Sequence, residues 1–235
     1  MRAALSFLTA FPGARVPTAR SLRWFPVVGA LLGLALGGLW WAAAKAWPWP
    51  IAAVIVVVAD LALTGMLHFD GLADSADGLL PHLDRERRLQ VMREPTVGAF
   101  GIVTVAIVLI GRWAVLAVVR PAPLLLAALW CVSRSGMAAT VDRMHYARAD
   151  AGLPSAFQGA RLPALTAVAA VAASAGVAAV WSVPAGPVAV GAGVVAFLAV
   201  LALAERRIGG YTGDVLGAAG VVGETVGLLV AAARW

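Results

Sequence analysis

Seven long apolar segments organise this chain, at about 24–44, 50–67, 97–119, 123–141, 162–181, 185–204 and 213–233. The hydrocarbon core of a bilayer is about 30 Å thick and a helix rises about 1.5 Å per residue, so roughly 20 apolar residues suffice to cross it. A segment in lipid must satisfy its own backbone, and uninterrupted apolar runs do so as helices. The fold class expected is therefore all-α, a polytopic membrane bundle of about seven transmembrane helices forming a single domain over residues 1–235. Composition agrees: 62% of the residues are hydrophobic and 13% charged, against about 45–50% and about 25% in a soluble domain. Arg112 interrupts the third segment and leaves open an early end followed by an interfacial helix. The single cysteine, Cys131, excludes an intramolecular disulfide.

Orientation follows from the basic residues. Thirteen fall on one side: Arg2, Arg15, Arg20 and Arg23 before the first segment, then Arg85, Arg87, Arg88 and Arg93, then Arg143, Arg148 and Arg161, and finally Arg206 and Arg207. The other side has three, Lys45, Arg120 and Arg234. This places the N-terminus in the cytoplasm and the C-terminus outside, in a cell inner membrane. Residues Met1 to Ala10 lack the basic start, apolar core and cleavage site of a signal peptide, so the N-terminus is expected to be retained. The net charge of +6 is dispersed among apolar segments, which argues against a nucleic-acid partner. Lipid is the expected surroundings, and a homo-oligomer is compatible with the pattern.

Acidic residues are distributed more unevenly still. Seven of twelve lie between Asp60 and Glu94, and the motif and loop at about 68–96 are expected on the cytoplasmic side. The central stretch reads His68-Phe-Asp70-Gly-Leu-Ala-Asp74-Ser-Ala-Asp77-Gly78. On a helix, offsets of four and seven residues put the three aspartates on one face. Like charges side by side are destabilising unless a cation binds, and Mg²⁺ prefers oxygen ligands and keeps sites open for a phosphate-bearing substrate. A metal site at Asp70, Asp74 and Asp77 is the sharper reading; a solvated acidic face is the blander one. The small residues between the aspartates favour the first, because they leave room beside that face. His68 is a candidate general base, or an interfacial side chain.

Further on, Arg93-Glu-Pro-Thr-Val-Gly98-Ala-Phe-Gly101 leads into the third segment. Pro95 breaks the preceding helix, Gly98 and Gly101 permit close backbone approach, and Arg93 is placed to meet a phosphate there. Arg85, Arg87 and Arg88 read as ordinary positive-inside charge. Asp60 and Arg134 lie inside apolar segments, where an ionised side chain usually faces a partner or a wet cavity, and they are candidates to pair with each other or to line the same pocket. Asp214 opens the last segment and is expected to join the acidic cluster. Glu224, about 15 Å deeper along the helix, is a candidate partner for Arg134.

The motifs Trp24-Phe-Pro-Val-Val-Gly29, His68-x-Asp70-Gly-Leu-Ala-Asp74-x-x-Asp77-Gly78, Arg93 to Gly101 and Gly209-Gly-x-Thr-Gly213-Asp214-x-Leu-Gly217 occur in this order. Together they resemble the membrane-bound cobalamin synthases, the adenosylcobinamide-GDP ribazoletransferases. The resemblance implies a Mg²⁺-dependent phosphotransferase of the last step of cobamide assembly. A hydroxyl of α-ribazole, or of its 5'-phosphate, attacks the phosphate on adenosylcobinamide in adenosylcobinamide-GDP, and GMP leaves. The roles expected are Asp70, Asp74 and Asp77 as metal ligands, His68, Asp74 and Arg134 as catalytic groups, and Arg93, Gly98, Gly101 and Asp214 as substrate contacts. Two rivals remain. A phosphotransferase of the CDP-alcohol type has a longer aspartate motif than this chain carries. An ion-coupled transporter would use Asp60, Arg134 and Glu224 as a midplane relay.

Overall fold

A computed structural model describes residues 1–10, 18–148 and 164–235. Arg15, Arg161 and the start of the fifth apolar segment lie outside the described residues. Within them the chain forms ten α-helices: α1 Arg2–Leu8, α2 Phe25–Ala46, α3 Trp49–Thr64, α4 Leu67–Leu79, α5 Arg85–Val91, α6 Ala99–Val118, α7 Pro123–Arg143, α8 Ala164–Trp181, α9 Ala185–Ile208 and α10 Gly213–Ala231. A 3₁₀ turn, Ala19–Trp24, leads into α2.

Five of these elements are long and apolar enough to cross a membrane: Ala19–Ala46, α6, α7, α9 and α10. The second predicted segment differs from the expectation. It is two helices, α3 and α4, that pass the same test only as a pair and are bent by 88°. Gly65 caps α3 in the left-handed region at φ +58° and Met66 follows at the same φ, while the Met66 N–H bonds the Leu61 carbonyl at 2.9 Å. Two successive left-handed residues end a right-handed helix, so the acidic motif sits on its own 13-residue helix rather than on the end of a span. The described part of α8 is shorter, Thr166–Trp181. By contrast α6 continues unbroken past Arg112 to Val118, because that guanidinium has partners.

Close packing fixes the frame. Gly29, Gly33 and Gly37 make a stripe on α2, and a Cβ on any of them would collide with the backbone of Trp130, Leu126 or Pro123 on α7. Without a hydrophobic drive between helices in lipid, such a stripe is what permits tight van der Waals contact. The N-terminal stretch closes one side of the bundle: Phe7 stacks on Phe25 with centroids 5.7 Å apart, and the Ala10 N–H bonds the Leu63 carbonyl at 2.8 Å.

Candidate active site

Helix α4 crosses α10 at points where both carry glycine. A Cβ on Gly71 would stand 2.7 Å from the Asp214 carbonyl oxygen, and one on Gly217 would stand 3.1 Å from the His68 Cα. The two backbones approach this closely only because those side chains are missing, and the approach delivers Asp214 to the aspartate face of α4. Asp74 has Asp214, Asp70 and Asp77 as like-charged neighbours and Arg148 as the opposing cation. Asp70 is exposed and Asp74 half-buried.

Asp77 has a further employment. Its two carboxylate oxygens accept from the Gly98 N–H at 2.6 Å and the Gly101 N–H at 2.9 Å. Gly98 is the residue that caps α6, so Asp77 satisfies the orphan donors of that helix and places a negative charge at the positive end of its dipole. The glycines of the turn are therefore held against α4 by an aspartate of the motif.

Arg148 is the site residue that the sequence left among topological charges. Its guanidinium donates to Asp214 Oδ2 at 2.8 Å and to the Met92 carbonyl at 3.2 Å. Two backbone bonds hold it there: Tyr211 N–H to the His145 carbonyl and Ala147 N–H to the Tyr211 carbonyl, both 2.9 Å. Burial, with Tyr146 second, pushes the Tyr211 hydroxyl up to about 12, which keeps this tyrosine neutral. Asp214 also accepts from Thr212 Oγ1 at 3.2 Å, and Thr212 caps α10 through the Val215 N–H. No spacing rule links residue 148 to 214; only the folded loops bring them together.

Two more arginines have work that simple topology does not anticipate. Arg85 donates to the Ile208 and Ala147 carbonyls at 2.9 Å each, and the buried Arg88 donates to the Gly78 and Leu79 carbonyls at 2.7 and 2.9 Å. Both satisfy carbonyls at helix C-termini, on α9 and α4, where cations are favoured. Arg87 fits the expectation, pairing with Glu94 at the exposed surface. Arg93 lies with Arg85, Arg148 and Gln90 around an open cleft of about 720 Å³.

Beneath α4 lies a closed ionic network. Arg112 bonds Asp60 and Glu224 at 2.6 Å each and Thr225 Oγ1 at 2.9 Å, and Arg134 bonds the other Glu224 oxygen and Ser133. Two cations thus balance two anions, all of them buried. The Arg134–Glu224 pairing agrees with the expectation, while Asp60 finds Arg112 instead. Arg112 also lies 5.2 Å from the ring centroids of Phe69 and Trp130, which ties the network to the residue beside His68. His68 is 6% exposed, and it lines a cavity together with Asp70, Arg148 and Asp214. Arg134 does not reach that lining.

These features define a polytopic helical membrane protein with an acidic, arginine-braced site on a broken helix. Residues 1–232 match the model of the cobalamin-5-phosphate synthase family, and the chain belongs to that family. It is 38% identical to the adenosylcobinamide-GDP ribazoletransferase of Chlorobaculum tepidum over 97% of this chain and 93% of that protein. The protein of the same name from Bradyrhizobium diazoefficiens is 38% identical over 99% and 93%, and that from Escherichia coli O157:H7 is 35% identical over 97% and 96%. No solved structure matches the chain.

Proposed function

We propose that this protein transfers adenosylcobinamide phosphate from adenosylcobinamide-GDP to α-ribazole or its 5'-phosphate, releasing GMP and forming adenosylcobalamin or its phosphate. The observation that carries this reading is the family match over residues 1–232. Asp70, Asp74, Asp214 and Arg148, meeting where α4 crosses α10, supply a place for the chemistry.

Phosphoryl transfer requires positioning and charge stabilisation more than covalent help from the protein. The ribosyl hydroxyl forms a bond to the phosphorus that adenosylcobinamide carries, and the bond to the GMP oxygen breaks. The hydroxyl proton passes to His68 or Asp74, the two candidate bases at the site. Arg148 is bonded to Asp214 in the acid cluster and shares the adjoining cleft with Arg93, and the two suit the diphosphate. Arg134, bonded to Glu224 under α4, acts near His68 only as a charge outside the cavity lining. Gly98 and Gly101 hold the turn against Asp77.

Mg²⁺ is the cation the site suits. Among the described residues no three His, Cys, Asp or Glu side chains converge as a complete cage, but Mg²⁺ is commonly held by one or two carboxylates with waters and substrate phosphate. The surplus negative charge around Asp74, opposed by Arg148 alone among the dominant neighbours, fits that mode. Asp70 and Asp74 would hold the ion, with Asp77 beside them on α4 and bonded to the start of α6. Bound there, Mg²⁺ would neutralise charge on the diphosphate.

Thirteen basic residues on one face favour a cytoplasmic site in the inner membrane. The test is GMP release by the purified protein in proteoliposomes with adenosylcobinamide-GDP, α-ribazole and Mg²⁺. The reading expects release that depends on both substrates. No GMP above a control lacking α-ribazole overturns it.

A further inference from the structure

The cavity that His68, Asp70, Arg148 and Asp214 border has a second, apolar side made by Phe7, Phe25, Met137, Val141 and Tyr146. Its volume is about 250 Å³. We infer that this cavity receives the aromatic base of the acceptor riboside, with the ribosyl hydroxyl at the acidic rim. The inference rests on the proposed function and assigns one of its two substrates to a place.

Size and charge make the assignment. The donor brings a corrinoid macrocycle, a diphosphate and guanosine. A macrocycle several times larger than the cavity cannot enter it. The diphosphate is the part that a cation at Asp70 and Asp74 would hold at the rim, so it does not fill the apolar interior. Guanine carries donors and acceptors along its edges, whereas the charged side chains of this cavity stand along one side only, and the wall of Phe7, Phe25, Met137 and Val141 would leave part of those groups unpaired. A methylated benzimidazole has no N–H or C=O edge of that kind when its nitrogen is joined to ribose. Its flat apolar body suits aromatic and thioether walls. The stacked Phe7 and Phe25 rings, 5.7 Å apart, make one wall from α1 and the start of α2, and α7 supplies Met137 and Val141. The donor is left the open cleft beside Arg85, Arg93 and Arg148. Arg148 lines both spaces, so acceptor and donor phosphate meet at its guanidinium.

The experiment fills the cavity in the full-length protein. Val141→Trp and Leu67→Trp each narrow it, and Leu67 is exposed enough that the change does not disturb packing. Val195→Trp, on a face of α9 that is open in the structure, is the control. GMP release is measured against each substrate in turn. The cavity variants are expected to raise KM for α-ribazole at least tenfold and to leave KM for adenosylcobinamide-GDP within twofold, while Val195→Trp moves neither. A riboside of benzimidazole without methyl groups should recover part of the loss in Val141→Trp, which also shows that the variant is folded. A rise in KM for adenosylcobinamide-GDP instead, no change in either KM, or loss of activity with both acceptors in both variants overturns the assignment. Wild-type protein that releases no GMP refutes the proposed function itself, a result separate from these.

Discussion

At the scale of single residues, the site divides into charges left open and charges closed off. Asp74 faces like charges with Arg148 in opposition, whereas Asp60, Arg112, Glu224 and Arg134 neutralise one another. Substitution should therefore separate activity from stability. Asp74→Asn keeps shape and removes the charge; it is expected to lower GMP release at least a hundredfold while the protein elutes as a single species at its normal yield. Glu224→Leu does the reverse in origin: it leaves two buried guanidinium groups short of a partner, and breaking a buried ion pair costs about 3–5 kcal/mol. Thermal unfolding in detergent should show that loss as a much lower transition temperature. The acid cluster and the Arg134–Glu224 pair were legible in the sequence because spacing on one helix and charge in an apolar segment are local signals. Arg148 was not, because an arginine in a connection carries the same signal whether it faces solvent or a carboxylate such as Asp214.

At the scale of elements, α4 is held at its two ends by different means. Its start is set by the left-handed pair Gly65 and Met66, and its end by Arg88 on the Gly78 and Leu79 carbonyls. Hydropathy marked 50–67 as one span because the turn residues Gly65 and Met66 do not interrupt an apolar run; the 88° bend depends on φ angles that composition does not encode. Gly65→Ala tests the turn. A Cβ at φ +58° is strained and would also stand 3.2 Å from the Ala10 Cβ, so a loss of about 1–2 kcal/mol is expected, read from the same unfolding transition. Asp77→Ala tests the contact between α4 and α6. Removing a capping carboxylate costs about 0.5–2 kcal/mol, and the Gly98–Gly101 turn should become more open to hydrogen exchange at its amides. The same substitution is expected to lower activity by less than Asp74→Asn does, since Asp77 spends both oxygens on backbone donors.

At the scale of the whole molecule, the arrangement of charge across the bundle implies a sided enzyme. The basic connections, the aspartate helix and the cleft at Arg93 belong to one end of the chain's long helices: Gly98 begins α6, Asp214 begins α10, and Arg143 ends α7. The ionic network lies further in, since Arg112 is fourteen residues after Gly98, about 21 Å along the helix axis. Water-soluble substrates have to arrive from the face that carries the acid cluster, and we propose on the positive-inside rule that this face is cytoplasmic. Membrane vesicles of opposite orientation decide this. Inverted vesicles, which turn the cytoplasmic face outward, are expected to release GMP when adenosylcobinamide-GDP, α-ribazole and Mg²⁺ are added outside, and to stop when a chelator too large and charged to cross the bilayer is added with them. Right-side-out vesicles from the same cells should be nearly inactive until a detergent opens them, and then match the inverted ones. Equal activity in both preparations before permeabilisation would contradict the orientation, and activity that survives the chelator would contradict the requirement for a divalent cation. The two results are independent, because the proposed sidedness rests on the basic connections and the proposed metal dependence on the carboxylates of α4.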